Sequence, residues 1–171
     1  MPAHGRRSRS GVLHGRGQVL SVIAAGGALG SLARWGLAEA LPHDRGAFAT
    51  STLVANVTGA LALGVLMVLL LEVWPPTRLV RPFLGVGVLG GYTTFSTSML
   101  DTEEMLRAGR AGVAAAYLFS TLALGLLASW SGVAITRAAA EAARRRKLHA
   151  LAARGTGRSD TRPPTGGRGR R

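Results

Sequence analysis

GVGVLGGYTTFSTS, at residues 85–98, places four glycines and then five serines and threonines inside a segment that is otherwise apolar. A helix that only anchors a protein in a membrane needs neither feature. The glycines weaken the helix, and the hydroxyl groups can bond to backbone groups that a distorted helix leaves free. Irregular backbone is tolerated at membrane depth only where it is buried in protein or lines a wet cavity. We therefore predict a helix that breaks near residues 90–96, where exposed carbonyl oxygens would suit a small hard cation such as Na⁺.

This segment is the third of four apolar segments in the centre of the chain, which run from about residue 19 to 41, 49 to 74, 79 to 100 and 111 to 136. About 20 apolar residues are enough to cross a bilayer as a helix. Basic residues ahead of an apolar run also occur in signal peptides, but the first run is longer than a signal core and three more follow it. The sequence therefore predicts an all-α integral membrane protein with four transmembrane helices, the third of them broken.

The net charge of +13 is confined to the two ends of the chain. Residues 1–18 carry four Arg and no acid, residues 19–136 carry six of each sign, and residues 137–171 carry eleven Lys and Arg against two acids. We therefore predict a basic N-terminal tail, a four-span body and a basic, largely disordered C-terminal tail with these bounds. The positive-inside rule predicts that both tails lie in the cytoplasm. There they suit anionic membrane lipid as a partner better than nucleic acid.

Other polar residues accompany the predicted break. Asn56 interrupts the second apolar segment, and Arg34 is a charged residue inside the first. Arg34 is either a functional residue or a side chain that reaches back to the interface. Taken alone, Asn56 fits an interhelical hydrogen bond, and Gly26 and Gly30 fit helix packing. In the fourth segment, polar or small residues recur every four positions on one helical face, namely Tyr117, Thr121, Gly125 and Ser129.

Several kinds of chemistry lack the residues that they need. No acidic residue lies near the centre of a span, the four His are at positions 4, 14, 43 and 149, and there is no Cys. This pattern offers no metal cluster, general base or activated nucleophile, so it does not indicate an enzyme. Hydroxyls, an amide, an Arg and the ring edge of Phe95 favour an anion over a cation as the species that passes through.

Three stretches together resemble the Fluc (CrcB) fluoride channels. GGALGSLARW at 26–35 is similar to the family's first-span signature, STLVANVTGALALG at 51–64 to its second-span motif, and GVLGGYTTFSTS at 87–98 to its broken third span. Their order and spacing match, and the resemblance covers about residues 19–136. It implies an inverted, antiparallel dimer of four-helix subunits, with two fluoride pathways and one structural Na⁺ at the dimer centre.

The resemblance also implies roles for individual residues. Na⁺ would be held by the backbone carbonyls of Gly90 and Thr93, together with the same pair from the second subunit. Arg34 matches the family's Arg near a cytoplasmic vestibule. The residues that match the family's fluoride pathway are Asn56, Phe95, Ser96, Thr97, Tyr117 and Thr121.

Two features depart from the family pattern. Ser98 stands where the family usually has a second Phe, so each pathway of a homodimer would lack one aromatic contact. Homodimeric members carry little charge bias because they insert in both orientations, whereas this chain is strongly biased. We therefore favour a heterodimer with an oppositely oriented paralogue over a homodimer that tolerates Ser98.

The function that the resemblance implies is passive, selective export of fluoride across a bacterial inner membrane, which protects the cytoplasm. A small multidrug exporter also has four spans, but it would need a Glu in its first span, and residues 19–36 contain none. A membrane anchor that presents a basic tail is the other alternative. An anchor would tolerate scrambling of the third span, whereas a channel would not.

Overall fold

The computed structural model describes residues 9–75 and 78–156 of the chain. Within these ranges the secondary structure is helical, with no β-strand, so the prediction of an all-α protein is confirmed there. Two short segments, Leu69–Val73 and Pro82–Leu89, are π-helical, a rare form that often occurs at functional sites. The α-helices are α1 (Arg9–Ala40), α2 (Thr50–Val68), α3 (Gly90–Tyr92), α4 (Ser96–Arg107) and α5 (Ala111–Thr156).

Three helices of the described chain are long and apolar enough to cross a membrane, as expected of a multi-pass membrane protein. They comprise Arg16–Ala40, Thr50–Val73 and Ala111–Ala152. The third apolar segment of the sequence, residues 79–100, does not form one continuous helix of that length. It is instead divided among the second π-helical segment, α3 and α4.

Helix α1 packs against the second π-helical segment and α3 through glycines on both sides. A Cβ atom placed on Gly26 would lie 2.5 Å from the Phe83 carbonyl oxygen, and one on Gly87 would lie 2.9 Å from the Gly26 Cα. A Cβ on Gly30 would likewise overlap the Val88 carbonyl. Because no side chain fits at these contacts, the predicted packing role of Gly26 and Gly30 is confirmed.

Helices α2 and α5 approach each other in the same way. A Cβ on Gly132 would lie 2.5 Å from the Leu61 carbonyl oxygen, and one on Gly64 would overlap the Ser129 carbonyl. Earlier in α2, Gly59 leaves room for the methyl group of Thr93. The glycines of α2 therefore bring this helix against α5 and against the chain that follows α3.

A small buried cluster joins the start of α2 to α4 and α5. Ala49, Met105, Ala114 and Tyr117 are almost fully buried in it. The Phe48 and Tyr117 rings meet edge to face, with centroids 5.4 Å apart and an interplanar angle of 87°. Through Met105, this cluster holds the C-terminal end of α4.

Both ends of the described chain are more helical than the sequence predicts. Helix α1 begins at Arg9, well before residue 19, and α5 continues to Thr156. The predicted C-terminal tail, residues 137–171, is therefore helical as far as Thr156. This stretch is made mostly of Ala, Arg, Lys and Leu, all strong helix formers, and their propensity outweighs the mutual repulsion of the basic side chains. Residues 1–8 and 157–171 of the predicted tails lie outside the described residues.

Candidate functional site

The chain between α3 and α4 is not helical over residues 93–95. Helical geometry ends at Tyr92, Thr93 is extended with φ −84° and ψ 155°, and α4 begins at Ser96. The glycines that precede this interruption, Gly90 and Gly91, are still helical. Backbone groups that a continuous helix would pair internally need other partners at this interruption.

Asn56 of α2 supplies those partners to Thr94. Its Nδ2 donates to the Thr94 carbonyl oxygen at 2.9 Å, and its Oδ1 accepts the Thr94 N–H at 2.8 Å. The second proton of Nδ2 goes to Ser98 Oγ, also at 2.9 Å. One amide side chain therefore bonds to both backbone groups of a non-helical residue. These bonds agree with the interhelical hydrogen bond that the sequence favours for Asn56.

Hydroxyl groups complete the interruption. Thr94 Oγ1 accepts the Thr97 N–H at 3.2 Å and so caps the first turn of α4, and it donates to Thr97 Oγ1 at 3.0 Å. The Ser98 hydroxyl donates to the Thr94 carbonyl at 3.2 Å. Ser96 is exposed, with its Oγ 3.4 Å from Thr94 Oγ1. The hydroxyl groups thus provide partners for the Thr97 N–H and the Thr94 carbonyl, two of the backbone groups at the interruption.

The two carbonyls predicted to hold Na⁺ have lost their usual helical partners. In a continuous helix the Gly90 carbonyl would accept the Thr94 N–H, but that N–H is bonded to Asn56. The Thr93 carbonyl would accept the Thr97 N–H, which is bonded to Thr94 Oγ1. Both residues line one cavity of about 310 Å³, and no atom of the described chain lies within 4 Å of where a Gly90 Cβ would be. Carbonyl oxygens released from helical bonding are a donor set that fits a hard cation.

Arg34 of α1 reaches both sides of the interruption. Its Nε donates to the Gly91 carbonyl at 3.2 Å, and its Nη1 donates to Thr97 Oγ1 at 3.4 Å. The partly buried guanidinium is therefore bonded to groups on both sides of the interruption. Together with Ser31, Trp35, Ser51 and other residues, Arg34 and Thr97 line a cavity of about 280 Å³.

A second, larger cavity of about 620 Å³ lies beside the interruption. Asn56, Phe95, Ser98 and Thr121 are among its lining residues, and Phe95 is 78% exposed at this position. Thr121 Oγ1 is buried and has no hydrogen-bond partner in the part of the chain that the structure describes. Thr94 lines both cavities, and neither has an acidic residue in its described lining. The space on both sides of Thr94 therefore offers hydrogen-bond donors without carboxylates.

Tyr117 belongs to the small buried cluster and does not line the larger cavity, unlike Thr121 one turn later in α5. It is fully buried, and its hydroxyl donates to Asp101 Oδ2 at 3.4 Å. His43 Nε2 lies 4.0 Å from the other oxygen of Asp101, and His43 Nδ1 lies 3.4 Å from Ser51 Oγ. The four-residue spacing placed Tyr117 and Thr121 on one helical face, but only Thr121 lines the larger cavity.

Two contributions to the site were not anticipated from the sequence. One is the bond from Asn56 to Ser98 Oγ, and the other is the His43–Asp101 pair. The bond from the Ser98 hydroxyl to the Thr94 carbonyl does agree with the prediction that the hydroxyls of this segment bond to freed backbone groups. The four-residue spacing of Thr94 and Ser98 favours that bond, since it lets a serine hydroxyl reach a carbonyl one turn back.

Comparison with known proteins gives a single family. The sequence model described as CrcB-like protein, Camphor Resistance (CrcB), matches residues 21–133. The chain is 50% identical over 121 residues to fluoride-specific ion channel FluC 3 of Streptomyces avermitilis, covering 71% of this chain and 59% of that protein. It is 46% identical over 114 residues to FluC 2 of the same species, covering 67% and 72%. With FluC of Rhodospirillum centenum the identity is 42% over 123 residues, covering 71% and 98%.

Proposed function

This chain belongs to the CrcB family, and from that membership and the geometry beside α4 we propose that it is a subunit of a fluoride-specific ion channel. A channel lets its ion cross a membrane passively and transforms no substrate, so the protein is a transporter and not an enzyme. The direction that benefits a cell is export, which lowers the fluoride concentration of the cytoplasm.

The observation that carries this proposal is the carboxylate-free space on both sides of Thr94, with a largely apolar cavity that holds a few hydroxyls on one side and a cavity lined by Arg34 on the other. A small anion that enters a membrane loses its hydration and needs hydrogen-bond donors in return. Thr121 Oγ1 is a buried hydroxyl without a hydrogen-bond partner among the described residues, and the edge of the Phe95 ring carries partial positive charge. Arg34, Ser96 and Thr97 add donors and positive charge along the same stretch.

We place the chain in a bacterial inner membrane with four spans and both termini in the cytoplasm. The third span would run through the second π-helical segment, α3 and α4, and would be broken at residues 93–95. The support for this topology is the excess of Lys and Arg at both ends of the chain and the apolar character of residues 79–100.

The same geometry supports a structural Na⁺ at the freed carbonyls of Gly90 and Thr93. Two carbonyls do not complete the coordination of the ion, so a second subunit would provide the matching pair. When bound, the ion would supply a fixed positive charge that holds the two interrupted helices together. Asn56 and Thr94 keep these carbonyls free by taking the N–H groups that would otherwise bond to them.

We propose further that the second subunit is an oppositely oriented paralogue. The charge bias of this chain favours one orientation, whereas an inverted homodimer needs both. Streptomyces avermitilis has relatives numbered FluC 2 and FluC 3, so one genome can encode several such chains. The exposed apolar side chains around the larger cavity, Phe95, Leu122 and Leu126 among them, offer a surface for such a partner.

Fluoride efflux from liposomes, measured with a fluoride-selective electrode, tests the proposal. We expect weak or no efflux from the chain alone and robust efflux when it is reconstituted with an oppositely oriented paralogue. Phe95→Ala and Asn56→Ala should each abolish most of the efflux, since the first removes the aromatic edge and the second removes both bonds to Thr94. Phe119→Ala is the matched control, because Phe119 is 74% exposed but does not line the cavity.

The outcomes separate the parts of the proposal. If neither preparation moves fluoride, the chain is not a fluoride channel subunit. Robust efflux from the chain alone would refute the heterodimer and leave the channel function standing. Normal efflux from both Phe95→Ala and Asn56→Ala would show that the pathway lies elsewhere.

A further inference from the structure

Ser98 lines the larger cavity beside the interruption. Only 3% of its surface is exposed, and it lines the cavity together with Phe95 and Thr121. Its oxygen accepts a hydrogen bond from Asn56 Nδ2, and its hydroxyl donates one to the Thr94 carbonyl. It is therefore a buried hydroxyl that touches both the interruption and the cavity.

Both N–H groups of Asn56 are already bonded within the protein, so neither is available to a ligand in this arrangement. A side-chain amide carries two N–H donors, and both are used, one by the Thr94 carbonyl and one by Ser98 Oγ. The amide oxygen accepts the Thr94 N–H. An anion in the cavity can accept a hydrogen bond from Asn56 only if one of these two 2.9 Å bonds breaks.

The Ser98 hydroxyl can be redirected more easily than the Asn56 amide, because its bond is the longer one and its proton can rotate about the Cβ–Oγ bond. The Thr94 carbonyl accepts two bonds, from Asn56 at 2.9 Å and from Ser98 at 3.2 Å, and the Asn56 bond is the shorter. If the Ser98 hydroxyl rotates its proton into the cavity, the Thr94 carbonyl keeps its bond to Asn56. Since Ser98 Oγ still accepts the Asn56 N–H, the hydroxyl also becomes a stronger donor, because a chain of hydrogen bonds polarises its members.

We propose that the Ser98 hydroxyl is a fluoride-binding donor of the pathway and that Asn56 is a positioning residue that acts through it. Thr121 Oγ1, which has no partner in the described residues, would be a second hydroxyl donor in the same cavity. The fluoride ion accepts a hydrogen bond from the Ser98 hydroxyl, and the Thr94 carbonyl and Ser98 Oγ each keep their bond from Asn56. The inference rests on the proposed channel function and adds a specific binding residue to it.

Replacement of the Ser98 hydroxyl tests the inference in whichever preparation moves fluoride, the chain alone or the chain with its paralogue. Ser98→Ala should lower fluoride efflux by about tenfold or more, the effect of losing one hydrogen bond to a charged acceptor. Ser98→Thr keeps the hydroxyl and should stay within about twofold of the parent chain. Ser98→Cys has a similar size and a weak S–H donor, so its efflux should fall between the two.

Thr102→Val is the matched control. Thr102 is also buried in α4, and its hydroxyl donates to the Ser98 carbonyl at 2.7 Å, but it does not line the cavity. We expect its fluoride efflux to equal that of the parent chain. Gel filtration in detergent before reconstitution shows whether each variant is folded, and Ser98→Cys decides the question if Ser98→Ala is not.

The result that overturns the inference is parent-level fluoride efflux from folded Ser98→Ala or Ser98→Cys. An equal loss in Thr102→Val would overturn it as well, because the loss would then reflect the packing of α4. Failure of the parent chain to move fluoride in any preparation would instead contradict the proposed function, so the two failures are distinguishable.

Discussion

Arg34 shows how one residue can hold two elements at a fixed distance. Its guanidinium bonds to the Gly91 carbonyl before the interruption and to the Thr97 hydroxyl after it. The planar fork of Arg donates in two directions from one rigid group, whereas the ammonium of Lys is a compact charge on a flexible stem. The charge of Arg34 alone therefore does not account for what the side chain does in this structure.

We predict that Arg34→Lys lowers both fluoride efflux and stability although it keeps the positive charge. Loss of one of the two bonds should cost about 2 kcal/mol, because hydrogen bonds to charged groups contribute that much. Efflux from liposomes and thermal denaturation in detergent would measure the two effects. Arg16→Lys, at an exposed position of α1, should change neither. An Arg34→Lys protein with parent-level efflux and stability would show that charge alone is sufficient.

The residues of the site differ in how far the sequence could predict them. Asn56 and Arg34 stand out because a polar residue inside an apolar helix is costly without a partner. The role of Ser98 depends on a contact with Asn56, 42 residues earlier in the chain, and no local pattern contains that information. Tyr117 illustrates the same limit, since helical spacing gives a face but does not say which carboxylate that face meets.

At the scale of the elements, the glycines of the third apolar segment divide into two groups. Gly87 and Gly91 face α1 so closely that no Cβ fits, whereas Gly90 has open space where a Cβ would be. A composition argument treats these neighbours alike, because each of them weakens a helix. Their tertiary surroundings distinguish them, since Gly87 and Gly91 contact α1 whereas Gly90 borders a cavity.

We predict that Gly30→Ala destabilises the protein, because the added Cβ would meet the Val88 carbonyl and the Tyr92 amide nitrogen. Overpacking of this kind typically costs about 1–3 kcal/mol. Gly36→Ala, in the same helix with nothing within 4 Å, should be neutral or stabilise the helix by up to about 1 kcal/mol. Thermal denaturation of the two variants in detergent is the measurement. Equal stability of both would mean that α1 does not pack against α3 as described.

The interruption between α3 and α4 is a product of competition for N–H groups. The Thr94 N–H goes to Asn56 and the Thr97 N–H goes to a threonine hydroxyl, so two carbonyls are left without helical bonds. Serine and threonine compete with helical bonding in this way wherever they cluster. Which carbonyls are freed depends on where α2 places its amide, and that is a tertiary property.

At the scale of the whole molecule, the charge pattern could be read from the sequence more fully than the length of the helices. The neutral centre and the basic ends follow from counting residues. The fourth apolar segment ends at residue 136, but α5 continues to Thr156 because Ala, Arg and Leu are strong helix formers whether or not a segment is apolar. Charge predicts which side of the membrane a segment faces, but it does not predict whether that segment is helical.

The charge bias predicts a single orientation in the membrane, and the absence of Cys makes it measurable with single-cysteine variants. In intact cells a membrane-impermeant thiol reagent should label Asp44→Cys, in the loop between α1 and α2, but not Ala143→Cys, which it should label only after permeabilisation. Replacing the four basic residues at 144–147 with Gln should allow some labelling of Ala143→Cys in intact cells, because those charges hold the C-terminal side in the cytoplasm. Comparable labelling of both sites in the otherwise unchanged chain would mean that it inserts both ways. An inverted homodimer would then need no paralogue.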